Sequence, residues 1–221
     1  MSAAGEPGLR GPTRIIAVRH GETAWNADSR MQGQLDIPLN ALGRLQAQRL
    51  ARALADEPLD AIYASDLSRA FDTAQAVAAL TGHRVTADTA LRERAFGVFQ
   101  GLTYTEIEQR WPEQGARWRA RDVDFVPEGG ESLRQLSVRS VEAAARLAAA
   151  HAGGTILLVA HGGVMDCLYR AAVRIELDLI RTWQLGNASI NRLLYSAEGF
   201  SLVGWSDTRH LEDAVLDEAS T

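Results

Sequence analysis

No lysine occurs anywhere in the 221 residues of this chain; all 23 of its basic residues are arginine. That absence excludes Schiff-base catalysis, pyridoxal phosphate attachment and the phosphate-binding lysine of a P-loop, each of which needs a side-chain amine. Phosphate must then be held by arginine, histidine or backbone N–H groups. Cysteine is nearly missing too. Cys167 stands alone, which excludes an internal disulfide framework and a cysteine-built zinc site and fits a reducing cytoplasm. No run approaches the roughly 18 apolar residues of a membrane span. Met1 to Pro12 hold Gly, Pro and one Arg without an apolar core, so they are expected to be a disordered lead and not a targeting peptide. Positive charge is also in deficit, with a net charge of -5. Nucleic-acid binding needs a positive face, so a small-molecule partner is expected instead, with neither nucleic acid nor membrane.

With 46% hydrophobic residues, the chain can bury one sizeable core and is expected to form one domain. Ile15 to Val18 and Thr155 to Ala160 are continuous apolar runs and read as buried strands. Ala61 to Ala64, Arg84 to Thr86, Asn191 to Ser196 and Ser201 to Trp205 read as further strands. Leucines at near-helical spacing after Asn40 predict a helix over Ala41 to Leu54 with Asn40 as its cap. Further helices are expected over Ser68 to Leu80, Thr103 to Arg110, Gln114 to Ala120, Ser132 to Ala150, Val164 to Ala172 and Leu177 to Trp183. Strands alternating with helices imply a three-layer α/β/α sandwich, mostly parallel, flanked by helices on both faces. Residues 13–206 would form the domain, with a small helical and loop lid insert at about 103–131, and 207–221 an acidic tail with little structure.

The two strongest strands both run directly into His-Gly: Arg19-His20-Gly21 and Ala160-His161-Gly162-Gly163. Ligands of open α/β sheets sit at the carboxyl ends of strands. If these strands are parallel neighbours, the two histidines face each other across one crevice, each followed by a glycine that lets backbone approach a ligand. Arg19 adds a guanidinium able to hold two phosphate oxygens at once. Arg69, in the first turn after Ser65-Asp66, is placed to add a second. The combination points to a phosphoryl pocket.

At this point the residues resemble a known family. Arg19-His20-Gly21-Glu22-Thr23-x-Trp25-Asn26, Met31-Gln32-Gly33-Gln34-x-Asp36-x-Pro38-Leu39, Ser65-Asp66-Leu67-x-Arg69-Ala70-x-x-Thr73-Ala74, Leu91-Arg92-Glu93 with Gly97 and Gly101, and Ala160-His161-Gly162-Gly163 occur in order. Together they resemble the histidine phosphatase superfamily in its phosphoglycerate mutase-like branch, over about Thr13 to Trp205. The resemblance implies that His20 attacks phosphorus and becomes a phosphohistidine. It implies that Arg19, Arg69 and His161, protonated when phosphate is bound, surround the phosphoryl oxygens. Glu93 matches the general acid that protonates the leaving oxygen and then activates water. Asn26, Gln32, Gly33 and Gly162 would line the phosphate or substrate side. Neither a metal nor a cofactor is implied.

Members of this family pass the phosphoryl group either to water or to a second phosphoglycerate oxygen. The cofactor-dependent mutases that the sequence resembles carry a longer insert before the second histidine, with a lysine in it. Here only 68 positions separate Glu93 from His161, and no lysine exists. The sequence is therefore expected to encode a phosphomonoester hydrolase for small phosphorylated metabolites. A phosphoglycerate mutase and a non-catalytic phospholigand-binding module are the alternatives. Arg117, Arg119 and Arg121 in the insert are candidates for reaching an acidic substrate, and exposed Trp and Leu there would permit a homodimer.

Overall fold

The computed structural model describes residues 11–212. The lead expected over 1–12 and the tail beyond Glu212 lie almost wholly outside the described residues.

In chain order the elements are β1 (Thr13–Arg19), α1 (Ala24–Ala27), α2 (Ala41–Ala53), β2 (Ala61–Ala64), α3 (Ser68–Thr81), β3 (Val85–Ala87), α4 (Tyr104–Arg110), α5 (Pro112–Arg119), α6 (Leu133–Ala149), β4 (Thr155–Ala160), α7 (Gly162–Val173), β5 (Ile190–Ser196), β6 (Gly199–Asp207) and α8 (Arg209–Glu212). The six strands form one sheet in the order β3-β2-β4-β1-β5-β6. The first four are parallel, and β5 and β6 add an antiparallel edge. A mixed, mostly parallel sheet covered on both faces is the architecture expected from the sequence.

The pleat divides the core in two. On β1, Ile15 and Ala17 pack with Leu136, Ala144 and Leu147 of α6 and Val164 and Leu168 of α7. Ile16 and Val18 face the other way, onto Leu50 of α2 and Ala70, Ala74 and Val77 of α3. All six residues of β4 are buried, as its unbroken apolar sequence requires of a strand covered on both faces. A third, smaller cluster lies under the insert, where Met31, Phe99, Ile107 and Phe125 pack with Trp111 and Trp118. The insert's tryptophans are thus half-buried in their own cluster.

Three expectations need correction. No helix forms over 177–183. Arg174 takes the left-handed conformation and ends α7, after which the carbonyls of Glu176 and Leu179 accept from Arg170 and that of Leu177 accepts from Arg121. A helix would need those carbonyls for its own ladder. The tail is not structureless throughout, because Arg209–Glu212 forms one helical turn held by Arg49 donating to the Leu211 carbonyl. Finally, the insert's second helix starts at Pro112, whose missing N–H costs nothing at a first helical position. No helix among the described residues is long and apolar enough to cross a membrane.

Candidate active site

Strands β1 and β4 are adjacent and parallel, with Arg19 opposite Ala160. The next residue on each, His20 and His161, therefore leaves the same edge of the sheet beside the other. The His20 N–H continues the ladder by donating to the Ala160 carbonyl at 3.0 Å. Their rings lie 5.1 Å apart, tilted by 59°.

Nδ1 of His20 sits 2.7 Å from the Gly21 carbonyl. A carbonyl only accepts, so Nδ1 carries the proton and Nε2 keeps its lone pair. Burial, followed by the positive charges of Arg19 and Arg69, pushes the His20 pKa well below 6.5. The ring is neutral at neutral pH, with the Nε2 lone pair available for attack. His161 is fully buried and shifted the same way by burial and then by Arg69, His20 and Arg19. Neither of its ring nitrogens has a protein partner.

Arg19 is anchored by donating from Nη1 to the Leu185 carbonyl at 2.5 Å. Arg69, fully buried at the start of α3, donates to the carbonyls of Leu35 and Gly33 at 2.9 and 2.7 Å. Burial lowers the pKa of both guanidinium groups, that of Arg69 to about 10. Both stay charged at neutral pH. Each keeps a buried Nε without a partner. Of seven such unpartnered buried atoms among the described residues, five belong to Arg19, Gln32, Arg69 and His161. Buried polar groups normally find partners, so this concentration marks a place built for a polar ligand. Four of the five are nitrogens, which suits an anion.

Glu93 reaches the same place from the loop after β3. Its Oε1 accepts from the Arg94 N–H at 2.8 Å and its Oε2 from the Gly163 N–H at 3.0 Å, at the positive end of α7. A Cβ on Gly163 would lie 2.2 Å from Glu93 Oε1, whereas one on Gly162 would meet nothing nearer than Arg19 Nε at 3.6 Å. The sequence pointed to Gly162; the close approach belongs to Gly163. Gly21 also differs from its reading. Its Cβ would lie 2.5 Å from the Gly43 carbonyl oxygen, so this glycine lets α2 pack on the His20 loop and does not face the ligand side.

The remaining nominated residues take indirect places. Asn26 Oδ1 accepts from the Thr23 N–H in the capping box of α1. Gly33, with φ of +55°, offers its carbonyl to Arg69. Gln32 is buried with Oε1 free of partners. Sequence reading missed Asn187, whose side-chain amide donates to the His20 carbonyl at 2.9 Å, and Gln34 and Arg139, which donate to the Glu93 carbonyl. Gln34 was visible inside its motif; nothing local marks Asn187 or Arg139.

A cavity of about 410 Å³ opens against Glu93, Gly162 and Gly163 and is also lined by Tyr104, Trp118 and Arg121 of the insert. The insert thus forms one side of the space where a leaving group would sit. The three insert arginines suggested by the sequence have partners: Arg117 with Asp122, Arg119 with Glu108 and Arg121 with Asp166.

The model of the histidine phosphatase superfamily (branch 1) matches residues 15–208. Phosphoglycerate mutase-like protein 4 of Arabidopsis thaliana is 42% identical over 203 residues, covering 90% of this chain and 87% of that protein. A metal-independent phosphoserine phosphatase of the same organism is 37% identical over 202 residues, covering 90% and 83%. The solved structure of mycobacterial glucosyl-3-phosphoglycerate phosphatase with VO3 matches with a TM-score of 0.78 and 37% identity, covering 88% of this chain and 99% of that one.

Proposed function

The chain belongs to branch 1 of the histidine phosphatase superfamily, and from that premise we propose how its site hydrolyses the phosphomonoesters of small metabolites. His20 Nε2 attacks phosphorus, the P–O ester bond breaks, and Glu93 gives a proton to the departing alkoxide. Water then attacks the phosphohistidine, Glu93 takes a proton from it, and inorganic phosphate leaves with His20 restored. Arg19 and Arg69 neutralise the charge that spreads over the phosphoryl oxygens in each transfer, and His161, neutral before substrate binds, joins them by taking up a proton when the phosphate dianion binds. Positioned proton transfer of the kind assigned to Glu93 contributes about 10²- to 10⁴-fold. The observation that carries this reading is the pair of buried histidines at adjacent strand ends, 5.1 Å apart, one with a fixed Nδ1 proton and the other surrounded by guanidinium groups.

Transfer to a second phosphoglycerate oxygen is the competing reading, favoured by the mutase-like name of one relative. Two features stand against it: the short connection between Glu93 and His161, and the absence of any lysine for the insert to present. The deciding experiment is a phosphate-release screen over small phosphomonoesters with phosphoglycerate interconversion measured in parallel. Phosphate release is expected. Sustained 3- to 2-phosphoglycerate conversion, stimulated by 2,3-bisphosphoglycerate and without phosphate release, would reverse the assignment. The lone, buried Cys167 supports action in a reducing compartment, and we propose the cytoplasm.

A further inference from the structure

The cavity beside Glu93 is lined by four arginines: Arg94, Arg119, Arg121 and Arg181. Three are committed within the protein. Arg94 donates to the carbonyls of Glu131 and Phe125 and lies 4.2 Å over the Trp118 ring. Arg119 pairs with Glu108, and Arg121 with Asp166. Arg181 is exposed and forms no hydrogen bond or ion pair among the described residues. Its backbone is nevertheless held on both sides. The Leu179 carbonyl accepts from Arg170 at 2.7 Å, Trp183 stacks on Tyr169 at 4.1 Å, and the Leu185 carbonyl accepts from Arg19. The Arg181 charge is also felt at Arg19, whose pKa it helps to lower. A free guanidinium is thus fixed at its root, faces the leaving-group space and lies within electrostatic reach of the phosphate site.

We propose that Arg181 is a specificity residue that binds a carboxylate on the leaving group, so that the enzyme favours small phosphomonoesters of hydroxy or amino acids. This rests on the phosphatase reading and adds a substrate class to it. The planar fork of one arginine matches one carboxylate. The cavity volume suits a small metabolite. Of the insert arginines that the sequence suggested for this task, Arg121 is held by the nearly buried Asp166, while Arg117 and Arg119 form exposed pairs with Asp122 and Glu108.

The test uses two matched pairs: 3-phosphoglycerate against glycerol 3-phosphate, and phosphoserine against phosphoethanolamine. The members of each pair differ in the carboxylate. Wild-type enzyme should prefer the carboxylated member by about tenfold in kcat/KM, as for a charge-assisted hydrogen bond, and the preference should shrink with added salt. Arg181→Gln should collapse the preference through KM, and Arg181→Glu should invert it. A wild-type enzyme that hydrolyses all four esters without discrimination overturns the carboxylate assignment alone, as does a preference that survives both substitutions. Failure to release phosphate from any ester overturns the phosphatase reading and this inference with it.

Discussion

His20 and His161 face each other because Arg19 and Ala160 are register partners on neighbouring parallel strands. The two residues lie far apart in the chain, and the sheet alone brings them together. Only His20 has its Nδ1 fixed by a carbonyl; His161 has both nitrogens free of protein partners. In the proposed mechanism that asymmetry suits the first to attack and the second to stabilise the phosphoryl oxygens.

The assignment predicts different failures. His20→Ala should abolish turnover and the acid-labile phosphoprotein that rapid quenching with labelled substrate traps. His161→Ala keeps the nucleophile, so labelling should persist while kcat falls about 10²- to 10³-fold, as on losing one charge-stabilising donor. Labelling of His20→Ala at the wild-type level would place the nucleophile elsewhere.

Both histidines also make stability depend on pH. Their folded pKa values lie well below 6.5, whereas in the unfolded chain they titrate near 6.5. Below that pH the unfolded state binds more protons than the folded one, so stability is complete above about 6.5 and is lost as pH falls toward the folded values. Each histidine contributes a slope of up to about 1.4 kcal/mol per pH unit in that window. Urea unfolding between pH 7.5 and 5 should show it, and the His20→Asn, His161→Asn double variant should flatten the curve. An equally steep curve in the double variant would assign the slope to other groups.

Asp166 joins α7 to the insert. Its side chain is nearly buried and accepts from Arg170 at 3.0 Å and Arg121 at 2.8 Å. Arg170 is itself buried, so Asp166→Ala leaves a guanidinium without its counter-charge and should cost about 3–5 kcal/mol. Chemical denaturation measures this. A loss below about 1 kcal/mol would mean that the carbonyls of Glu176 and Leu179 suffice to hold Arg170.

What could be read from the sequence follows from how local each signal is. The apolar runs ending in His20 and His161 carry strand, edge and site in a few contiguous residues, so the sheet and the place of the site were legible together. Arg69 was suggested by its place at a strand-to-helix junction, while Glu93 was legible only through its resemblance to a family, because alone it resembles a surface charge. The stretch after α7 was misread. Its order depends on Arg170 and Arg121 reaching its carbonyls and on Trp183 stacking against Tyr169, contacts that leave no periodic trace. Asn187 was missed for the same reason, since it acts on the backbone of a residue at the other end of the chain.

The neighbouring glycines after His161 give the sharpest separation of function from stability. A methyl group on Gly162 meets nothing nearer than 3.6 Å, while on Gly163 it would lie 2.2 Å from Glu93 Oε1 and 2.9 Å from Leu136 Cδ2. Oε1 is the end of a flexible side chain, so the fold can absorb Gly163→Ala by displacing the carboxylate from the N-terminus of α7. The expected result is a melting temperature close to wild type with kcat reduced about 10²-fold or more, the scale of a mispositioned proton donor. Gly162→Ala should retain most activity. The leaving group supplies a further check, because p-nitrophenolate departs without needing a proton and the Gly163→Ala defect should shrink on its phosphate ester. An equal defect on alkyl and aryl esters would show that Glu93 is not the group disturbed.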